Sequence, residues 1–162
     1  VQHEPFHIRP WREGDDALGH IAGVYREYGL CFEPGFEDDL ADVGRTYARA
    51  LFLVAEDEGG LVATAAACNH GGVRLVRRMY VAPRARRVGL GRTLLRACMA
   101  WGPWVRTELW SDVRFREAHA LYRSEGFTAG PCRILADPDR SVERHFAHAG
   151  RGVAGTPPRL AP

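Results

Sequence analysis

The stretch Arg78-Met79-Tyr80-Val81-Ala82-Pro83-Arg84-Ala85-Arg86-Arg87-Val88-Gly89-Leu90-Gly91-Arg92-Thr93-Leu94-Leu95 decides how this chain is read. An apolar strand runs into a proline, an Arg- and Gly-rich loop follows, and an amphipathic helix opens. A helix N-terminus leaves backbone N–H groups without intrahelical partners and carries a partial positive charge. Gly89 and Gly91 remove the Cβ atoms that would hold an anion away from those groups. Arg84, Arg86, Arg87 and Arg92 add charge and forked donors that match phosphate oxygens. The stretch predicts a pyrophosphate site.

Which phosphate loop this is follows from spacing. A dinucleotide fingerprint needs G-x-G-x-x-G, and Leu94 stands where its third glycine belongs. A P-loop needs a lysine, and the chain has none. Arg86-x-x-Gly89-x-Gly91, after a strand ending Met79-Tyr80-Val81-Ala82-Pro83, resembles the acetyl-CoA signature of the GNAT superfamily of N-acetyltransferases. A second segment, Ala118-His119-Ala120-Leu121-Tyr122-Arg123-Ser124-Glu125-Gly126-Phe127, is similar to the family's A-x-x-L-Y-x-x-x-G-F motif. It reads as a helix with Phe115, Ala118, Leu121 and Tyr122 on one face, closed by Gly126 as a left-handed cap. The preceding Trp110-Ser111-Asp112 resembles the strand end of a bacterial subgroup of the family.

Composition is that of one soluble globular domain. The chain has 162 residues, 46% of them apolar and 26% charged, with a net charge of +2. The charge is unevenly placed: no acid lies between Glu58 and Glu108, whereas nine arginines fall from Arg74 to Arg106. Such a basic middle suits a phosphate-rich ligand. Cys31, Cys68, Cys98 and Cys132 are scattered and the histidines form no H-x-x-x-H pair, so neither a metal site nor a disulfide framework is expected. No secretory leader is legible and the longest apolar run, Ala50–Ala55, is short, so the expectation is a cytoplasmic protein with no membrane contact.

Periodicity and turn residues predict strands at His7–Trp11, Leu51–Glu56, Leu61–Asn69, Val73–Val81, Val105–Trp110, Thr128–Leu135 and Ser141–Ala147. Helices are expected from Asp15 or Asp16 to Tyr28, from Glu37 to Arg49, from Gly89 to Trp101, and around Tyr122. This order runs in the GNAT order from Phe6 to Ala147. The resemblance implies an α/β fold of the α+β type: a mixed, mostly antiparallel, twisted sheet of about seven strands, flanked by four helices, with a splayed strand pair for acyl-CoA. Residues 1–149 are expected to form a single domain and residues 150–162 a Gly/Pro-rich tail.

The resemblance implies direct acetyl transfer from acetyl-CoA to a primary amine in a ternary complex, with no metal. Tyr122 would protonate the departing thiolate. Met79, Tyr80, Val81, Arg86, Arg87, Val88, Gly89, Leu90, Gly91 and Arg92 would bind acetyl-CoA. Phe115 stands where many relatives carry an asparagine, which leaves Arg114 or Arg116 to supply that contact. No carboxylate lies between Arg74 and Val81, so the general base is expected to be Glu108 or, through water, Glu33. Tyr25, Tyr28, Phe32 and Glu33 are the candidate acceptor-binding residues. With Glu37, Asp38, Asp39 and Asp42 nearby, they suggest a cationic small molecule or peptide amine. A homodimer is compatible with the fold. Two other functions fit parts of the pattern: a non-catalytic acyl-CoA sensor, and an arginine-rich nucleic-acid binder, which lacks any recognised nucleic-acid motif.

Overall fold

Phe52 and Val54 alternate with Leu53 and Ala55 along one strand, and all four are buried, so the sheet holding them is covered on both faces. The structure, a computed structural model, describes residues 6–150. The seven strands are β1 (His7–Pro10), β2 (Leu51–Asp57), β3 (Gly60–His70), β4 (Val73–Val81), β5 (Thr107–Asp112), β6 (Thr128–Ile134) and β7 (Val142–His148). They stand in the order β1-β2-β3-β4-β5-β7-β6, antiparallel except for the parallel pair β4–β5. This is the expected α/β fold with its mixed sheet. The tail expected from residue 150 onward lies, Gly150 apart, outside the described residues.

One face carries α1 (Ala17–Glu27), α2 (Asp38–Ala41) and α3 (Val43–Thr46), which bury Ile21, Leu40, Val43 and Tyr47 against Phe52, Val54 and Ala66. The other carries α4 (Leu90–Ala100) and α5 (Arg116–Ser124), which bury Leu94, Leu95, Cys98 and Tyr122 against Leu53, Val62, Leu109 and Phe146. Ala63, Ala65 and Ala67 of β3 face α4, and their small side chains let the helix lie close. The single helix expected from Glu37 to Arg49 is instead two four-residue turns, α2 and α3. Asp42 breaks it: with φ −145° its carboxylate accepts the Arg45 N–H at 2.9 Å and caps a new helix. A short acidic side chain competes with the helix for backbone donors in this way.

The feature that positions the site is the short pairing of β4 with β5. They are in register only at Arg74↔Thr107 and Leu75↔Glu108. Arg74 locks that closed end. Its buried guanidinium donates to the carbonyls of Trp101 at 2.6 Å and Trp104 at 2.5 Å and to Thr107 Oγ1 at 2.7 Å, satisfying the chain that leaves α4. Beyond Leu75 the strands part. A bulge lies just past that point: β3 and β4 shift register between Thr64 and Ala66, and Arg78 takes a left-handed φ of 53°. Thr64 Oγ1, fully buried, donates to the Arg78 carbonyl at 2.7 Å and so holds the bulge.

Candidate active site

The gap between β4 and β5 opens into a cavity of about 740 Å³. One wall is the β4 edge from Leu75 to Val81, and the opposite wall is Leu109–Asp112 of β5. The arginine loop and the first turn of α4 close one end, through Arg86, Arg87, Gly89, Gly91 and Arg92. Tyr122 and Leu121 of α5 line it from one face of the sheet, and Tyr25, Tyr28, Glu33 and Glu37 from α1 and its following link on the other. Most of the residues singled out from sequence thus meet around one space. Val88, Leu90, Arg116, Phe32 and Glu108 are not among its lining residues. Leu90 packs in the core beneath the loop, Val88 and Arg116 face solvent, and Phe32 packs on Tyr25 with ring centroids 5.9 Å apart.

Gly89, the residue before α4, has a φ of 89°, a left-handed backbone that turns the chain into the helix. An added Cβ would be strained there by roughly 1–2 kcal/mol. Gly89→Ala is therefore expected to lower the melting temperature, as thermal denaturation would read. At Gly91 an added methyl would meet only Leu121 and Val81, at 3.5 and 3.7 Å, so Gly91→Ala is expected to cost no stability. The arginines divide their work. Arg84 is bound to Asp57 at the end of β2 and does not line the cavity. Arg86 donates to the Val81 carbonyl at 2.8 Å and forks onto Glu27 of α1, tying the loop to that helix. Arg92 pairs with Glu125 at 2.7 Å. Arg87, left-handed at φ 65°, is exposed and has no ion-pair partner among the described residues.

Tyr122 is fixed by the end of its own helix. Phe127 N–H donates to the Tyr122 carbonyl at 3.0 Å, and Gly126 N–H, at φ 88°, to the Arg123 carbonyl at 3.1 Å. Those two bonds form a Schellman closure, with the Phe127 ring 6.0 Å from that of Tyr122. Burial, then the nearby Tyr80, push the Tyr122 phenol well above its ordinary value, and Ser111 only partly offsets them. The group therefore keeps its proton at neutral pH.

The acids expected to greet a cationic acceptor are largely engaged elsewhere. Glu37 and Asp39 both clamp Arg78, a buried guanidinium that donates from Nε to Asp39 at 2.9 Å. Asp42 caps α3. Glu33 is exposed and lines the cavity. Glu108 lies where the strands are still paired, bound to Arg106 at 2.5 Å and to His145 at 3.1 Å. A carboxylate to which the sequence reading gave no role is better placed. Asp112 is buried at the β5 end, lines the cavity, and uses Oδ1 both to accept the Arg114 N–H at 2.8 Å and to pair with the Arg114 guanidinium at 3.3 Å, while Oδ2 has no hydrogen-bond partner. Leu109 belongs to the α4/α5 face, so strand alternation sends Trp110 and Asp112 to the α1 face. Asp112 lies opposite Glu143 of β7, which is bound to Arg133. The Trp110-Ser111-Asp112 strand end marked the position, but nothing local showed which face it joins. Phe115, in place of asparagine, packs edge-on against Tyr28 and Tyr80 and lines the same cavity.

A parallel strand pair held together at one end and splayed at the other, with an arginine-flanked helix N-terminus closing the gap, is the geometry that defines this site. The sequence signature of the acetyltransferase (GNAT) domain matches residues 48–129, and the chain belongs to that family. No curated protein matches it. Among solved structures, a GNAT-family acetyltransferase of Staphylococcus aureus superposes with a TM-score of 0.75 at 16% identity, covering 88% of this chain and 97% of its own. An acetyltransferase of Streptococcus agalactiae gives 0.75 at 18% identity, covering 91% and 99%. A phosphinothricin acetyltransferase of Sinorhizobium meliloti, solved with acetyl-CoA, gives 0.65 at 20% identity, covering 96% and 94%. The chain is thus an acetyltransferase by family, with acetyl-CoA as the family's acyl donor. Among the described residues no helix is long and apolar enough to cross a membrane.

Proposed function

We propose that the chain, as one domain over residues 1–149, is an N-acetyltransferase that moves an acetyl group from acetyl-CoA directly to a primary amine while both are bound. The splay supports this most. From Met79 to Val81 the β4 edge has no strand beside it on the β5 side and faces the cavity instead. An extended pantetheine arm can add to that edge as a strand would, which suits the family's donor. Backbone N–H groups near Tyr80 and Val81 would polarise the thioester carbonyl. Arg87 and the α4 N-terminus would hold the pyrophosphate.

Tyr122 supplies the proton that the leaving sulfur takes. Asp112 takes the proton of the attacking ammonium: the residue lines the cavity, and its buried Oδ2 has no hydrogen-bond partner. Glu33 lines the same cavity and favours a cationic acceptor. Much of the rate would come from holding the two substrates together. Calorimetric titration with acetyl-CoA and thiol release with an amine panel test this. Arg87→Ala is expected to weaken acetyl-CoA binding about tenfold, the worth of a charged hydrogen bond. Asp112→Asn is expected to lower kcat/KM for the amine by about 100-fold. An unaltered rate in Asp112→Asn would move the base to Glu33, and wild-type protein that does not bind acetyl-CoA would remove the proposal.

A further inference from the structure

We propose that the Tyr80 hydroxyl oxygen holds the nitrogen of the acceptor amine, and that Tyr25 and Glu37 act as positioning residues that keep that oxygen a hydrogen-bond acceptor only. The inference rests on the acetyltransferase reading of the same cavity. It follows from the direction of two hydrogen bonds.

Glu37 is buried and ion-paired with Arg78, so it is a carboxylate with no proton to give. Tyr25 Oη lies 3.0 Å from Glu37 Oε1 and must donate to it. Tyr25 Oη also lies 3.1 Å from Tyr80 Oη. A phenol has one proton. With the Tyr25 proton committed to Glu37, the second bond has to run from Tyr80 to Tyr25. The reverse order would leave a buried carboxylate oxygen facing a phenol oxygen with no proton between them, which costs the full desolvation of a charged group. The Tyr80 proton therefore points away from incoming substrate. Its oxygen presents lone pairs alone, which take an N–H.

Packing keeps this arrangement in place. The Tyr80 ring is edge-on to Tyr25 at 5.5 Å and to Phe115 at 6.0 Å, so its hydroxyl does not swing freely. The Arg78 bulge just upstream anchors the same strand segment, because Arg78 is held by both Glu37 and Asp39. Tyr80 packs with the α1-side core and Tyr122 with the α4/α5-side core. The two hydroxyls thus reach the cavity from opposite faces of the sheet, one for the nitrogen that arrives and one for the sulfur that leaves. Phe36 and Phe115 add apolar wall around the Tyr80 side, which suits an amine with a hydrocarbon substituent.

The test uses n-butylamine as acceptor probe and thiol release at saturating acetyl-CoA. Tyr80→Phe is expected to raise the KM for n-butylamine about tenfold, with kcat at saturating amine changed by no more than about threefold. Tyr25→Phe leaves Tyr80 intact but frees its proton to turn toward substrate, and is expected to raise the KM as much. The Tyr25→Phe/Tyr80→Phe protein is expected to be no worse than either single variant, because both changes remove one device. The acetyl-CoA dissociation constant of all three and the melting temperature of Tyr80→Phe should match wild type, which separates this role from a merely structural one, whereas the two proteins with Tyr25→Phe are expected to melt lower because Glu37 loses its donor. An unchanged KM in Tyr80→Phe, additive losses in the double variant, or wild-type protein that binds acetyl-CoA but does not saturate with n-butylamine each overturns the proposal. Loss of acetyl-CoA binding by the wild type overturns the acetyltransferase reading instead.

Discussion

Tyr122→Phe is expected to lower kcat by about 100-fold, the usual worth of a placed general acid, while the KM for acetyl-CoA and the melting temperature stay close to wild type. The ring does the packing: it lies 5.3 Å from Phe146 and 6.0 Å from Phe127, and phenylalanine keeps both contacts. In the proposed reaction the hydroxyl supplies the proton. A phenol held as far up as this one would not surrender its proton to a thiolate in water. In the proposed reaction the sulfur would depart beside Tyr122, and the burial that raises the phenol would raise the basicity of the thiolate with it. Steady-state kinetics of thiol release, with calorimetric titration of acetyl-CoA alongside, decides it. A variant that binds acetyl-CoA and turns over at the wild-type rate would show that the proton comes from elsewhere. A wild type that binds acetyl-CoA without releasing thiol to any amine would point to an acyl-CoA sensor.

Arg78→Met is expected to produce the largest loss of stability. Arg78 is buried between two carboxylates, and removing it leaves Glu37 and Asp39 uncompensated together. Breaking a buried pair from one side costs about 3–5 kcal/mol, and for a chain of this length that lowers the melting temperature by roughly 10 °C. Differential scanning calorimetry reads it. Adding Glu37→Gln and Asp39→Asn should recover part of the loss, since the stranded charges go with them. The same cluster sets an acid limit. Burial alone would raise the Asp39 pKa, but hydrogen bonds from Arg78 and Tyr47 outweigh it and hold the carboxyl below its ordinary 3.8. A carboxylate depressed in the folded state contributes stability that is fully present above its unfolded value and is lost as pH falls through the folded one. Wild-type stability should therefore decline below about pH 4 in part through Asp39, and Asp39→Asn should flatten that portion of the curve.

Local chemistry carried much of this molecule into view. The run from Met79 to Leu95 contains a strand, a stop, a left-handed glycine and a helix start within one short window, and each is a property of residues near one another in the chain. The Tyr122 helix was legible for the same reason, since Gly126 can take the left-handed φ that closes the Schellman turn and Phe127 supplies its apolar contact. The helix expected from Glu37 to Arg49 failed on a local competition that periodicity does not weigh. Leu40, Val43 and Tyr47 keep helical spacing and are all buried, yet Asp42 recaps the chain between them.

The acidic segment shows where local reading stops. Glu37, Asp38, Asp39 and Asp42 look like one negative face in sequence. In the fold Glu37 and Asp39 belong to Arg78, and Asp42 to the Arg45 N–H. Asp112 was in plain sight beside Trp110 and Ser111, but its claim on the cavity depends on the face β5 turns toward α1 and on a neighbour, Glu143, that lies far along the chain.

The sequence by itself determined the order of the strands, the Arg- and Gly-rich loop that opens α4, the Tyr122 helix with its cap, and the family, because each rests on residues a few positions apart. Only the tertiary structure decided which charges are paired, how far β4 and β5 stay together, and which way the Tyr25–Tyr80 hydroxyls point. Those depend on groups brought from distant segments into a shared, poorly solvated space, where one proton or one missing partner changes what a side chain can do.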